Sequence, residues 1–196
     1  MRKNKFSSWV TAAVGATLLF SPACSVNVKK EPNGQEKQVD INTIAGGIHV
    51  SEQANMSDIG LPLYPGARLK EKDSDGSDKS ANVNISGFGY GLKVVAMEYE
   101  SSDAPSKVIS FYREQLKKYG HVLECHTSKG NWNVNMGSHG SRDGSSELTC
   151  EGSGGNDTEL KVGKQYDQHI VAVQSQGKGS SFSLVYLRTH GKDEDI

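Results

Sequence analysis

Several features are scarce in this sequence, and each scarcity excludes a class of protein. Basic residues are not in excess, because 22 Lys and Arg stand against 23 Asp and Glu, so nothing draws the whole chain to nucleic acid. Only 35% of the residues are hydrophobic, which is low for a globular domain but above the range of fully disordered chains. Proline is rare, with 5 residues against 22 glycines, and this balance predicts many tight turns and loops.

A long apolar run is also missing. The apolar segment 6–20 is shorter than the roughly 20 residues that a membrane-spanning helix needs. Three basic residues precede it within the first five positions, and the small residues of 21–24 follow it. This order is typical of a secretory signal peptide, so we predict that residues 1–23 are removed on export. A buried N-terminal helix is the alternative, but the segment shows no amphipathic pattern.

The end of this segment resembles the lipobox of bacterial lipoproteins. Residues 19–24 read Leu-Phe-Ser-Pro-Ala-Cys. In that family the cysteine receives a diacylglyceryl group and becomes the new N terminus, so the resemblance implies lipidation of Cys24. Ser21 stands where the family usually has Leu, and Ser21 with Ala23 also suits ordinary cleavage, which releases a soluble protein. The residue directly after the cysteine is Ser25, and at this position the chain resembles the lipoproteins that are sorted to the outer membrane.

Cysteine is the next scarce residue, with three in the chain. An exported protein meets an oxidising compartment, where thiols pair. If Cys24 carries lipid, Cys125 and Cys150 remain, and we predict a disulfide between them. In the chain-entropy model a closed loop of this size contributes about 3–4 kcal/mol of stability. Two or more acyl chains on Cys24 would hold the protein on a membrane surface, whereas a single chain binds weakly.

The chain after Cys24 divides into an arm, a main domain and a tail. Residues 24–58 form the arm, in which short stretches alternate with period 2 and predict strands. These strands form either a small meander or an extended tether, and the polar residues 51–58 predict a linker. We assign residues 59–190 to the main domain and expect the acidic tail, 191–196, to be disordered.

The main domain contains one clear helix, over 105–119. Pro105 suits the first turn, Asp103 or Ser102 can cap the exposed N–H groups, and Gly120 ends the helix. The apolar residues at helical spacing on one face are Val108, Ile109, Tyr112, Leu116 and Tyr119.

Strand-like segments surround this helix. They are 82–91 and 92–100, which form a hairpin, and then 121–127, 146–151, 159–162, 169–175 and 182–189. Pro65-Gly66 predicts a type II turn, and residues 70–80 and 128–145 predict loops. One helix among about seven strands, without β–α alternation, predicts an α+β fold: an antiparallel sheet with one long helix packed on one face.

The residues that could carry chemistry form no recognised motif. Gly87, Gly89 and Gly91 lack the spacing of a phosphate-binding loop. A zinc site would combine histidines and cysteines from 121 to 150, but Cys125 and His126 are neighbours in a strand and point to opposite faces. We therefore predict no metal and no other cofactor.

Catalysis and ligand binding have candidates only. The chain contains no G-x-S-x-G or H-E-x-x-H pattern, so we assign no catalytic residue. The aromatic residues that could line a binding groove are Tyr64, Phe88, Tyr90 and Trp132, although such side chains more often pack in a core.

Residues 61–125 resemble a group of small bacterial exported lipoproteins. The resemblance is carried by Leu-Pro-Leu-Tyr-Pro-Gly-Ala at 61–67, the hairpin that follows, and Val-Ile-Ser-Phe-Tyr-Arg-Glu-Gln-Leu at 108–116. It implies a fold and export, and it brings no activity, ligand or catalytic residue.

The sequence thus predicts a non-catalytic binding or structural lipoprotein of the cell envelope, on the periplasmic side or the outer membrane. We expect it to be held on a membrane through lipid on Cys24, with an envelope protein as its possible partner and no nucleic acid. The alternative is a secreted soluble hydrolase or small-ligand-binding protein.

Overall fold

The structure, a computed structural model, describes six stretches of the chain. They are residues 24–30, 36–51, 54–70, 80–127, 147–150 and 154–191. The predicted signal peptide, the tail after 191 and nearly all of the predicted loops at 70–80 and 128–145 lie outside the described residues.

Ten strands form one antiparallel sheet. They are β1 (Ser25–Lys30), β2 (Glu36–Thr43), β3 (Gly46–Ser51), β4 (Arg68–Leu69), β5 (Ser80–Gly87), β6 (Tyr90–Ser101), β7 (Leu123–Thr127), β8 (Asp157–Lys164), β9 (Asp167–Gln176) and β10 (Gly179–His190). The order across the sheet is β1-β2-β3-β5-β6-β10-β9-β8-β7, and the short β4 pairs with β6. The predicted antiparallel sheet is therefore confirmed, and β1 and β7 are its two edges.

One longer helix packs on one face of this sheet. It is α2 (Pro105–Leu116), and a 3-10 turn (Lys117–Tyr119) extends it, so the predicted helix over 105–119 is confirmed. Val108, Tyr112 and Leu116 follow each other at intervals of four residues and are all fully buried against β8, β9 and β10. Since the sheet contains most of the residues that the structure describes, the label α+β describes the fold only loosely.

The core between helix and sheet is built around Phe182. This ring is 1% exposed, and its centroid lies 5.7 Å from that of Tyr99 and 5.6 Å from that of Tyr112. The Tyr112 hydroxyl accepts a hydrogen bond from the Tyr64 backbone N–H at 3.1 Å. Thus the chain entering the domain is joined to the helix by a buried polar contact, which satisfies both groups inside an apolar core.

The turn before β4 follows the sequence-based expectation. The Ala67 N–H donates to the Tyr64 carbonyl at 3.0 Å, which closes a turn around Pro65 and Gly66. Gly66 has a φ of 75°, the conformation that a type II turn requires at its third position.

Two local predictions about helices were wrong. The residue at the N-cap of α2 is Ala104, which makes no side-chain cap, because the Asp103 carboxylate instead accepts from the Tyr64 hydroxyl at 2.8 Å and the Lys107 ammonium at 2.7 Å. The predicted linker at 51–58 contains most of a short helix, α1 (Met56–Ile59). Ile59, the last residue of α1, is fully buried and brings this segment into the core.

Two predictions about strands also need correction. Residues 147–150 are not in a strand, although 146–151 was expected to form one; the disulfide of Cys150 fixes this segment instead. The predicted strand over 82–91 ends at Gly87, and Phe88 and Gly89 form the turn to β6.

The N-terminal arm forms the meander rather than the tether. β1, β2 and β3 pair in sequence, and β3 pairs with β5 from Gly46↔Gly87 to Ser51↔Asn82. The arm therefore continues the sheet of the main domain and extends it well beyond the part that α2 covers.

Candidate functional site

Cys24 and the disulfide lie at opposite edges of the sheet. Cys24 has a free, exposed thiol and directly precedes β1. Cys125 lies on β7 and is bonded to Cys150, with 5.4 Å between their Cα atoms. The structure thus agrees with the predicted pairing, and Cys24 is the one thiol of the three that remains free.

The alternative zinc site gains no support. Cys125 is buried and His126 is exposed, so these neighbours face opposite sides of β7. His139 lies outside the described residues. Within the part of the chain that the structure describes, no group of three or more His, Cys, Asp or Glu side chains could hold a metal ion.

A continuous apolar surface covers one face of the N-terminal half of the sheet. Residues directly opposite each other in paired strands share a face. The register therefore creates two apolar rows, each crossing β1, β2, β3, β5 and β6. The first row is Val26, Ile41, Ile48, Ile85 and Leu92, and the second is Val28, Val39, Val50, Val83 and Val94. We call these ten residues the apolar face.

Five of the ten residues of the apolar face are exposed to solvent, and the other five are partly buried. Val26 is 62% exposed, and the exposed fractions of Val28, Ile48, Val50 and Ile85 lie between 36% and 39%. A one-sided antiparallel sheet normally buries its apolar side. Exposed apolar patches of this kind mark surfaces that bind a protein, a ligand or a membrane.

The reverse face of the same strands is polar. Asn27, Asp40, His49, Asn84 and Lys93 lie opposite one another across the five strands. Asp40 accepts a short hydrogen bond from the His49 ring, and this bond holds the pKa of the Asp40 carboxyl below its ordinary value. The strands of the arm therefore have one apolar face and one polar face.

An open groove of about 400 Å³ lies at one end of the apolar face. Its floor includes the first apolar row from Ile41 to Leu92, and Phe88 and Tyr90 also line it. Ile48 of the groove and His49 are neighbours in a strand, so the Asp40–His49 pair faces away from the groove. The groove and the acid–histidine pair therefore do not form one catalytic site.

Two hairpin turns form the rim of this groove. Ile44 and Ala45 connect β2 to β3, and Phe88 and Gly89 connect β5 to β6. The two turns are joined, because the Phe88 N–H donates to the Ala45 carbonyl at 3.1 Å. We call these two turns the paired tips.

Phe88 occupies a strained position in its tip. Its φ is 54° and that of Gly89 is 84°, the combination found in type I′ turns, where Asn-Gly is the preferred pair. A left-handed conformation costs a residue with a Cβ roughly 1–2 kcal/mol. The Phe88 ring is 79% exposed, so packing within the folded chain does not offset this cost.

Replacing Phe88 by Asn should therefore stabilise the protein. We expect Phe88→Asn to raise the free energy of unfolding by about 1 kcal/mol, because Asn tolerates the left-handed region far better. Urea denaturation followed by circular dichroism measures this change. Phe88→Leu is the matched control and should leave stability nearly unchanged; a loss of stability in Phe88→Asn would show that the ring packs in the folded state.

The aromatic residues that were candidates for a binding groove lie in different parts of the structure. Phe88 and Tyr90 line the groove, Tyr64 is buried in the core, and Trp132 lies outside the described residues. Sequence reasoning missed the apolar face and Ile44. The available signal was the repeated alternation of Val and Ile in four short segments, together with an apolar residue at a turn where polar residues are usual.

Comparisons with protein-family models, curated proteins and solved structures find no significant match to this chain. The resemblance to small exported lipoproteins therefore stays a prediction. Function has to be inferred from the position of Cys24, the apolar face and the paired tips.

Proposed function

We propose that this chain is a lipoprotein of the cell envelope, acylated on Cys24, that acts as a non-catalytic binding module. The observation that carries the proposal is the position of Cys24, which is exposed and is followed at once by the first edge strand. A lipid on this residue needs no room inside the fold. Because Cys125 and Cys150 are bonded to each other, Cys24 is also the one thiol left for modification.

The apolar face supports the binding role. Its members on β1, β3 and β5 include five exposed apolar side chains, whereas the reverse side of the same strands is polar, and an exposed apolar patch of this kind is typical of a binding surface. None of the helices in the described residues has the length and hydropathy of a membrane span. Acyl chains on Cys24 would supply the anchor. Each methylene that they bury in the membrane contributes about 0.8 kcal/mol to the free energy of binding.

Intact-mass measurement of the protein purified from bacterial membranes tests the lipid anchor. The expected mass is that of residues 24–196 plus acyl groups, with Cys125 and Cys150 oxidised. Cys24→Ser should lose the acyl mass and keep its signal peptide, because the cysteine is needed for both steps in lipoproteins.

Ser25→Ala is the matched control, since it alters the neighbouring residue and leaves the cysteine in place. It should be acylated and processed like the parent. A parent chain that begins before Cys24, or begins at Cys24 without added mass, would refute the lipoprotein assignment.

A secreted small-ligand-binding protein is the second candidate, and the groove is the observation that favours it. The groove is lined mainly by apolar side chains and backbone glycines, which suits an apolar ligand. Hydrolysis gains nothing from the geometry, because the Asp40–His49 pair lies on the opposite face. The mass measurement separates the two candidates, as a secreted form carries no lipid.

A further inference from the structure

The end of the sheet that carries Cys24 also carries the paired tips. Ser25 pairs with Asn42, so Cys24 lies beside the start of the β2–β3 turn at Thr43. Gly46, just after that turn, pairs with Gly87, just before the β5–β6 turn. Cys24, the first tip and the second tip therefore follow one another along a single end of the sheet.

The tips are apolar where turns are usually polar. The segments Asn42–Gly47 and Ser86–Gly91 contain no charged residue. Ile44 is 86% exposed and Phe88 is 79% exposed, and each projects from the centre of its turn. Gly, Asn, Asp, Pro and Ser are the usual turn residues, so two large apolar side chains at adjacent tips need a reason outside the folded chain.

The two tips are also joined by a hydrogen bond. The hydrogen bond from Phe88 N–H to the Ala45 carbonyl joins them, and the Thr43 hydroxyl donates to the Gly46 carbonyl at 2.9 Å across the first turn. Phe88 adopts a left-handed φ that Asn or Gly would adopt with less strain. A strained aromatic residue kept at an exposed tip is typical of a residue that functions through contact with something else.

On the strand that follows Cys24, charge lies at the end away from the tips. Lys29 lies near the far end of β1, away from Cys24, and its side chain is exposed. The two turns beside Cys24 carry no charge, whereas the exposed Lys29 lies towards the opposite end of β1. An end without charged side chains approaches an apolar surface at a lower desolvation cost than a charged end does.

We propose that the paired tips insert into the lipid surface to which Cys24 is attached, with Ile44 and Phe88 as the inserted side chains. The proposal rests on the lipoprotein function proposed above, because lipid on Cys24 would bring this end of the sheet to the bilayer. The sheet then stands on the membrane beside its lipid anchor. The part of the apolar face that lies farther from the tips remains available to a partner protein.

Tryptophan probes at the tips test the insertion. The full-length protein is produced in bacteria, purified from membranes and reconstituted in phosphatidylethanolamine–phosphatidylglycerol vesicles that contain acyl-brominated lipid. We expect the emission added by Ile44→Trp and by Phe88→Trp to fall by more than half in brominated vesicles. Leu69→Trp is the matched control, because Leu69 is also exposed but pairs with Tyr99 at the far end of β6, and its emission should persist.

Other occupants of the tips give other results. Tip probes that are shielded from aqueous iodide but not quenched by brominated lipid would show that protein, a partner or a second copy, covers the tips, and this would overturn the proposal. Tip probes as open to iodide as Leu69→Trp would also overturn it. The Ile44→Trp variant is expected to fold like the parent, because the Ile44 side chain is almost fully exposed and can be enlarged without disturbing the core.

The intact mass of each sample separates this proposal from the proposed function. An acylated protein whose tips are not quenched contradicts insertion and leaves the lipoprotein function standing. A protein without acyl groups refutes the lipoprotein function. Quenching of the tips in that sample would show that they bind lipid without an anchor.

Discussion

Phe182→Ala is expected to lower the free energy of unfolding by about 3–5 kcal/mol, the usual cost of truncating a fully buried phenylalanine. Phe182 is 1% exposed, and its ring contacts aromatic rings from three separate parts of the chain: the segment before β4, which contains Tyr64, and then β6 and α2. The cavity left by the alanine would be lined by rigid rings that close it poorly. The loss should therefore fall in the upper part of this range.

Urea denaturation, followed by circular dichroism at fixed pH, measures the Phe182 effect. Phe88→Ala is the matched control, since it removes the same side chain from a position that is 79% exposed, and its effect should stay within about 0.5 kcal/mol. Equal losses in the two variants would contradict the placement of Phe182 at the centre of the core.

Gly46→Ala is expected to cost about 2–5 kcal/mol, because strain and a backbone clash act together. The φ of Gly46 is 155°, which an alanine adopts only with strain. A Cβ at this position would lie 2.0 Å from the Ser86 carbonyl oxygen and 2.4 Å from the Gly87 Cα. Both contacts are with the backbone of β5, so the β3–β5 pairing itself has to shift.

Gly177→Ala is the matched control for Gly46→Ala. Gly177 also has a positive φ, 59°, but nothing lies within 4 Å of a Cβ built there, so the variant should cost only about 1 kcal/mol. Hydrogen exchange locates the damage, because Gly46→Ala should lose protection in β1, β2 and β3 before β8 and β9. Similar costs for the two variants would show that β3 does not approach β5 as closely as described.

The parts of the fold that the sequence predicts well are those in which a local pattern decides the structure. The spacing of Val108, Tyr112 and Leu116 predicts both α2 and its buried face, and Pro65-Gly66 predicts its turn. Counting the cysteines predicts the bond between Cys125 and Cys150 once Cys24 is taken to carry lipid, because an exported chain then has two thiols left to pair.

The parts that were missed depend on contacts between distant segments. Asp103 does not cap α2, because Tyr64, far away in sequence, takes its carboxylate. Residues 51–58 look like a polar linker, but their last three residues form α1 together with Ile59, whose side chain is fully buried in the core. The alternation of Val and Ile was a signal for the apolar face, but it predicts only which residues share a face within one strand and not which strands become neighbours.

Force applied at Cys24 would run along the strands of the arm. β1 begins directly after this residue, and it pairs with β2 from Ser25 to Lys30. Tension in the direction of the strand axis loads the bonds between β1 and β2 in shear, so they bear it together instead of opening one by one. An anchor at this position would therefore resist pulling far better than one that peeled the edge strand sideways.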